Sequence, residues 1–428
     1  AGRDQRLETA VRRFDATRVF YGMEFFDTLG AQAAFTVWAV YLVQDVGVNP
    51  LQLVLLGTVS EIAVFLFEVP TGVVADTYSR RLSIIIGIIL SGLSMVIFGL
   101  VAVYWIIVLA VILRGIGGTF MSGAWEAWIT DEHGVDGIGR VFLRGDQFSY
   151  LGAIAGSALG VGIATWDLGA GIVFGGIVSV LTGIACIFVM PEHGFQRRPV
   201  EERRSPLRAM RTTAVTGGKL VRGHNILLLI VGITFFAGAA SEGLDRLWEA
   251  HLLKDVGLPE LWGMDPVVWF GVFNIVGLVA GIVITSFLVP RFEHADNAKL
   301  ARTLLWLTVV LSVSVVIFGL ATSFAVAAVA YLVARLVRRL KDPLYATWLN
   351  KNVEDSSVRA TVNSIASQAD AIGEVAGGPA IGVIGTVGSL RAALVATGLL
   401  LTPAIPLFLR ALRHGGREPE LDEAEAPA

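Results

Sequence analysis

Charged side chains buried in long apolar stretches are the residues of this chain best placed to do chemistry. Glu24 and Asp27 stand three apart in a run that also holds Phe20, Tyr21, Phe25, Phe26, Phe35 and Trp38. Residues three or four apart share one helix face. Glu242, Asp245, Arg246 and Glu249 repeat that arrangement in a later apolar stretch, and Glu61, Arg114, Arg335 and Asp370 each fall near the middle of one. A lone charge facing hydrocarbon is costly, so such residues point inward, pair, or snorkel to the interface. A carboxylate held there is equipped to carry a proton, and an arginine to bias it. Arg335, Arg338, Arg339 and Lys341 make one stretch unusually cationic. Facing a cavity, they would favour an anionic or zwitterionic ligand; paired with Asp342, Asp370 and Glu374, they would hold helices together.

The elements that must position these residues are apolar spans. The 428 residues are 54% hydrophobic and 16% charged, against about 25% charged in a typical globular chain. Twelve spans are predicted at about 18–43, 53–75, 82–102, 105–127, 144–166, 168–190, 225–252, 266–289, 302–321, 324–348, 361–385 and 389–411. About 20 residues of helix at 1.5 Å each cross a roughly 30 Å hydrocarbon core. The reading is therefore an all-α polytopic membrane protein with two six-helix bundles, 1–190 and 225–412. A basic linker, 191–224, joins them, and a disordered acidic tail, 413–428, follows. Arg80 and Arg81, Arg140 and Arg144, the linker, Arg291, Lys299, Arg302, Lys351 and Arg359 all fall on one side when loops alternate. The positive-inside rule makes that side cytoplasmic and places both termini there, in a plasma or inner membrane.

Several function classes are excluded. The single cysteine, Cys186, allows no internal disulfide, and no histidine stands in an HxxH or HExxH pattern, so neither metal nor other cofactor is expected. A phosphate-binding Gly-x-x-x-x-Gly-Lys-Ser/Thr loop is missing, which argues against direct use of ATP. Nucleic acid is a poor partner for the basic linker; membrane lipid suits it better.

Two echoes suggest an internal repeat. Trp38-Ala-Val-Tyr-Leu-Val-Gln-Asp45-Val-Gly47 resembles Trp248-Glu-Ala-His-Leu-Leu-Lys-Asp255-Val-Gly257 at an offset of 210, and Trp125-Glu-Ala-Trp128 resembles Tyr345-Ala-Thr-Trp348 at an offset of 220. Gly152, Gly156 and Gly160 line one face of the fifth span, and Gly373, Gly377 and Gly378 one face of the eleventh. Such small-residue faces let backbones approach closely. They are expected either to pack helices within a bundle or to lie between bundles. Trp105, Trp128 and Trp348, near span ends, are expected as interfacial anchors.

Between the second and third spans stands Gly72-Val-Val-Ala-Asp76-Thr-Tyr-Ser-Arg80-Arg81, preceded by Phe67-Glu68-Val69-Pro70-Thr71. This segment resembles the loop signature of the major facilitator superfamily, in particular bacterial drug-exporter-like members. Arg114 in Arg114-Gly115-Ile-Gly117-Gly118 matches that family's fourth-helix arginine. Gly152 to Gly160 resembles its fifth-helix antiporter signature, with Ser157 where the pattern has proline. The resemblance implies a monomeric, non-enzymatic secondary transporter working by alternating access, with efflux of an amphipathic small molecule by proton antiport. A symporter or exchanger of an organic anion, and a lipid translocase, are the alternatives. On this reading Asp27, Arg114, Glu61 and Asp370 couple protons. Glu24, Asp27, Trp38, Trp125, Glu242, Asp245, Arg246 and Arg335 face the substrate. Gly72, Asp76, Arg80 and Arg81 form a conformational latch, in which Gly72 lets two helices approach.

Overall fold

The computed structural model describes residues 15–195, 225–260, 263, 265–292, 294–353 and 356–414. Most of the basic linker and the acidic tail beyond His414 lie outside the described residues. Arg413 and His414, expected in the tail, end a helix instead.

Every regular element among the described residues is helical. Seven helices come first: α1 Ala16–Gln44, α2 Pro50–Thr77, α3 Arg80–Leu100, α4 Tyr104–Met121, α5 Ala124–His133, α6 Ile138–Ala164 and α7 Leu168–Val189. Then come α8 Asn225–His251, extended by a π-turn Leu252–Val256, α9 Pro266–Leu288, α10 Asn297–Leu320, α11 Phe324–Lys351, α12 Ser356–Val387, α13 Leu390–Leu400 and α14 Ala404–His414. Local chemistry sets the starts. Asp15, Ser79, Asp167, Asp296 and Ser389 each cap a first-turn N–H, and Asn49 with Gln52 forms a reciprocal capping box ahead of Pro50. Among the described residues ten helical segments are long and apolar enough to cross a membrane, counting α4 with α5 and α13 with α14 as single spans. The two that fall short, α11 and α12, carry the charges Arg335 to Asp342, Asp370 and Glu374. Twelve spans are thus present, two of them with breaks that hydropathy does not reveal. The fourth turns at Gly123, whose φ of 69° is left-handed and suits glycine, and the twelfth turns between Leu400 and Ala404.

The chain packs as two compact units. The first takes in α1 to α7 together with Leu252–Leu278, and the second α8 and the helices beyond Val279. A hydroxyl cluster binds the 252–278 stretch into the first unit. The Asn274 amide donates to Thr36 Oγ1 at 2.8 Å and Ser157 Oγ at 3.1 Å, and the Thr36 hydroxyl donates to Ser157 at 3.1 Å. Ser157, the departure from the family pattern, thus has a role that proline could not fill.

In the first unit α1 lies against α6 and α7, α3 against α4 and α7, and α2 against α4. The second unit repeats this with α8 against α12 and α13, and α10 against α11 and α13. Individual contacts repeat at the same offsets. Tyr41 with Phe98 corresponds to His251 with Phe318, and the Trp125–Glu24 hydrogen bond corresponds to the Tyr345–Thr234 one. The internal echo is therefore a structural repeat. Trp128 and Trp348, expected at the interface, are each only 1% exposed. The Trp128 indole donates to the Pro191 carbonyl at 2.7 Å, so this tryptophan is a core strut, whereas Trp105 is 73% exposed.

The glycine stripes serve packing inside each unit. Gly152, Gly156 and Gly160 press on the backbone carbonyls of Phe25, Leu29 and Ala33; Gly373 and Gly377 do the same to Phe235 and Ala239. A Cβ at any of these positions would overlap backbone.

Candidate functional site

In the first unit, the break at Gly123 swings α5 so that Trp125 faces α1, where its indole donates to Glu24 Oε1 at 2.8 Å. One turn on, half-buried Asp27 has Arg114 as its electrostatic partner. The Arg114 guanidinium lies 4.2 Å from the Phe35 ring centroid, a cation–π distance. The structure thus brings Glu24, Asp27, Arg114 and Trp125 together on one side of α1. Glu61 sits half-buried on α2. Trp38 departs from expectation. It stacks on Phe35 at 5.4 Å, lies tilted against Phe98 of α3 at 4.3 Å, and is buried at 9% exposure.

The second unit has a partly open cavity of about 180 Å³ among α8, α10, α11, α12 and α13. Asp370 and Glu374 of α12 line it, with Arg338, Lys341, Asp342 and Tyr345 of α11 and Thr234 and Ser241 of α8. Glu374 accepts from the Ser241 hydroxyl at 3.2 Å, and Thr234 and Tyr345 share a hydroxyl–hydroxyl bond. Lys341 is only 6% exposed, with Asp342 and Asp370 as its attractive neighbours. A space of this size among polar groups has room for water or a small ligand group.

The other charged residues serve mainly one another. Glu242 and Arg246 form an ion pair at 3.2 Å one turn apart on α8, and Asp245 holds Arg338 at 2.6 Å. Arg335 donates to Tyr331 Oη at 3.2 Å, and the Arg339 stem lies along Gly281 of α9. None of Glu242, Asp245, Arg246 or Arg335 lines the cavity. The i, i+4 spacing satisfies Glu242, Arg246 and Arg335 within their own helices, and Asp245 is engaged across to α11. Lys341, Thr234 and Tyr345, which do line it, were not among the expected site residues. The signal for two of them was present, since Thr234 and Tyr345 stand where the 210 and 220 offsets carry Glu24 and Trp125.

At the loop between α2 and α3, the Arg80 guanidinium donates to the Ala127 carbonyl at 3.0 Å and pairs with Asp131, both of α5. Glu192, just past α7, accepts from Ser79 Oγ at 2.7 Å and from the Arg81 backbone N–H at 2.9 Å. The Arg81 side chain reaches the Ile187 carbonyl. Asp76 lies in the last turn of α2. The expectation for Gly72 is corrected. Among the described residues of the first unit nothing lies within 4 Å of where its Cβ would stand, so no helix of that unit packs closely on it. Glu192→Gln is expected to lower stability by about 1–3 kcal/mol, the range for weakened hydrogen bonds to a charged group. A fluorescence melt matching the wild type would count against this strap.

Residues 20–339 match the sequence profile of the Major Facilitator Superfamily, three quarters of the chain, and the protein belongs to that family. It is a multi-pass secondary transporter by membership. A relative from Bacillus subtilis (strain 168), an uncharacterized MFS-type transporter YxaM, is 26% identical over 399 residues, covering 91% of this chain and 94% of the relative. The fold is shared with the nucleoside transporter NupG at a TM-score of 0.73, 11% identity and coverage of 93% and 99%. A bacterial homolog of the human lysosomal transporter Spinster, in an inward-facing and unoccupied conformation, aligns at a TM-score of 0.72 and 15% identity over 94% and 98%.

Proposed function

We propose that the protein exports an amphipathic small molecule across the plasma membrane by proton antiport, with both termini cytoplasmic. The observation that carries this reading is Asp27 facing Arg114 within the first unit, beside Glu24 and an aromatic helix face. A carboxylate and an arginine within the membrane form a pair whose attraction is lost when the acid takes up a proton. Protonation would free Arg114 and alter packing around α1 and α4. Asp370 in the second unit's cavity offers a second acid, next to Lys341. Two arginines of α11 weigh against an organic-anion symporter, because Arg335 is engaged by Tyr331 and Arg338 by Asp245. Arg80 and Arg81, which follow Asp76, serve as the latch, since their contacts tie α3 to α5 and to the end of α7.

Proteoliposomes given a cationic dye or an organic anion under a proton gradient of either sign test the substrate class. Dye movement against the proton flow is the expected result. Uptake of the anion with protons, and no dye movement, would overturn the reading.

A further inference from the structure

We propose that the groove between α1 and α6 docks an anionic phospholipid. The groove has an open volume of about 430 Å³ and is walled by Tyr21, Phe25, Phe26, Phe148 and Leu151. The Tyr21 and Phe148 rings stack across it at 5.2 Å and an interplanar angle of 14°. Gly22 is its floor, with nothing within 4 Å of where a Cβ would stand. Phe26 and Leu151 are 51% and 56% exposed, so the groove presents apolar surface at the level of the spans.

Cations gather at one end. Arg18 rims the groove from the first turn of α1, with its side chain 87% exposed and Asp15 as a distant partner at 3.9 Å. On α6, Arg144 precedes Phe148 by four residues and Arg140 precedes Arg144 by four, so both exposed arginines stand on the helix face that carries Phe148. Asp146 is two residues from Arg144 and so lies on a different face. An apolar trough ending in arginines from two helices matches the polarity of a phospholipid, with its acyl chain among aromatic rings and its phosphate at the guanidinium groups. A soluble anion would leave the trough unused, and a zwitterionic lipid would offset the arginine contacts with its own cation.

The full-length protein in mild detergent, titrated with dioleoyl phosphatidylglycerol or dioleoyl phosphatidylcholine, supplies the test by native mass spectrometry. Phosphatidylglycerol should be retained about thirtyfold better, as expected from roughly two surface arginines. Arg18→Gln with Arg144→Gln should bring that ratio close to one. Gly22→Leu, which fills the groove from a helical position with free space, should weaken adducts of both lipids. Equal retention of the two lipids by the wild type would overturn the proposal without any variant, as would no adduct at all, which would mean that the groove is filled by the chain itself. An unchanged phosphatidylglycerol preference in the double arginine variant, or undiminished adducts of both lipids in Gly22→Leu, each with a wild-type elution profile, would overturn it as well.

Discussion

Gly156→Leu is expected to abolish the folded protein, whereas Gly162→Leu on the same helix leaves it intact. Gly156 meets the Leu29 carbonyl of α1 with no space for a Cβ, and the obstacle is backbone, which cannot rotate away. Overpacking at adaptable sites costs about 1–3 kcal/mol. Here α1 would have to leave α6, which also breaks the Thr28–Ser149 bond at 2.8 Å and the Thr36–Ser157 bond at 3.1 Å. Gly162, six residues on, has nothing within 4 Å of its Cβ position and is exposed. Size-exclusion profiles of the two variants should therefore differ completely. A monodisperse Gly156→Leu protein would show that the α1–α6 contact is looser than described.

Asp27→Asn is expected to abolish accumulation driven by a pH gradient while leaving counterflow exchange measurable. Asparagine keeps the size and the hydrogen-bonding capacity of the side chain, so it removes charge and proton uptake without opening a cavity. Substrate should still bind and exchange, but nothing would tie its movement to that of protons. Arg114→Ala should lose coupling as well, and Arg114→Lys should retain part of it, because a cation near Phe35 and Asp27 is preserved. An Asp27→Asn protein that aggregates, together with aggregating Glu242→Gln and Asp245→Asn variants, would identify these acids as members of a structural ion-pair network. For Glu242 and Asp245 the ion pairs with Arg246 and Arg338 already point that way.

The helices were legible because the bilayer demands long apolar runs, and the repeat was legible because both halves solve the same packing problem. Trp38 and Trp248, Trp125 and Tyr345, and Trp128 and Trp348 kept enough identity to show the offsets. The break at Gly123 was not legible. A left-handed residue inside an apolar run leaves hydropathy unchanged, yet it aims Trp125 at Glu24. Site residues divided by geometry. Glu24 and Asp27 of α1 find their partners on other helices, Trp125 of α5 and Arg114 of α4, whereas Arg246 and Arg335 found partners one turn away on their own helices. Spacing alone could not separate those outcomes. The cavity at Asp370 depends on Lys341, Thr234 and Tyr345 arriving from two other helices, which is tertiary information. The role of Gly72 was over-read, since its motif fixes the turn and the arginines rather than a close helix contact.

Proton movement during transport tests the central claim most directly. Wild-type proteoliposomes loaded with a pH-sensitive dye, with no imposed gradient, are given a downhill gradient of a transported cationic substrate. Protons should move in the direction opposite to the substrate, and Asp27→Asn should eliminate that signal. Substrate transport with no proton movement in the wild type, or with protons travelling in the same direction, would contradict the account.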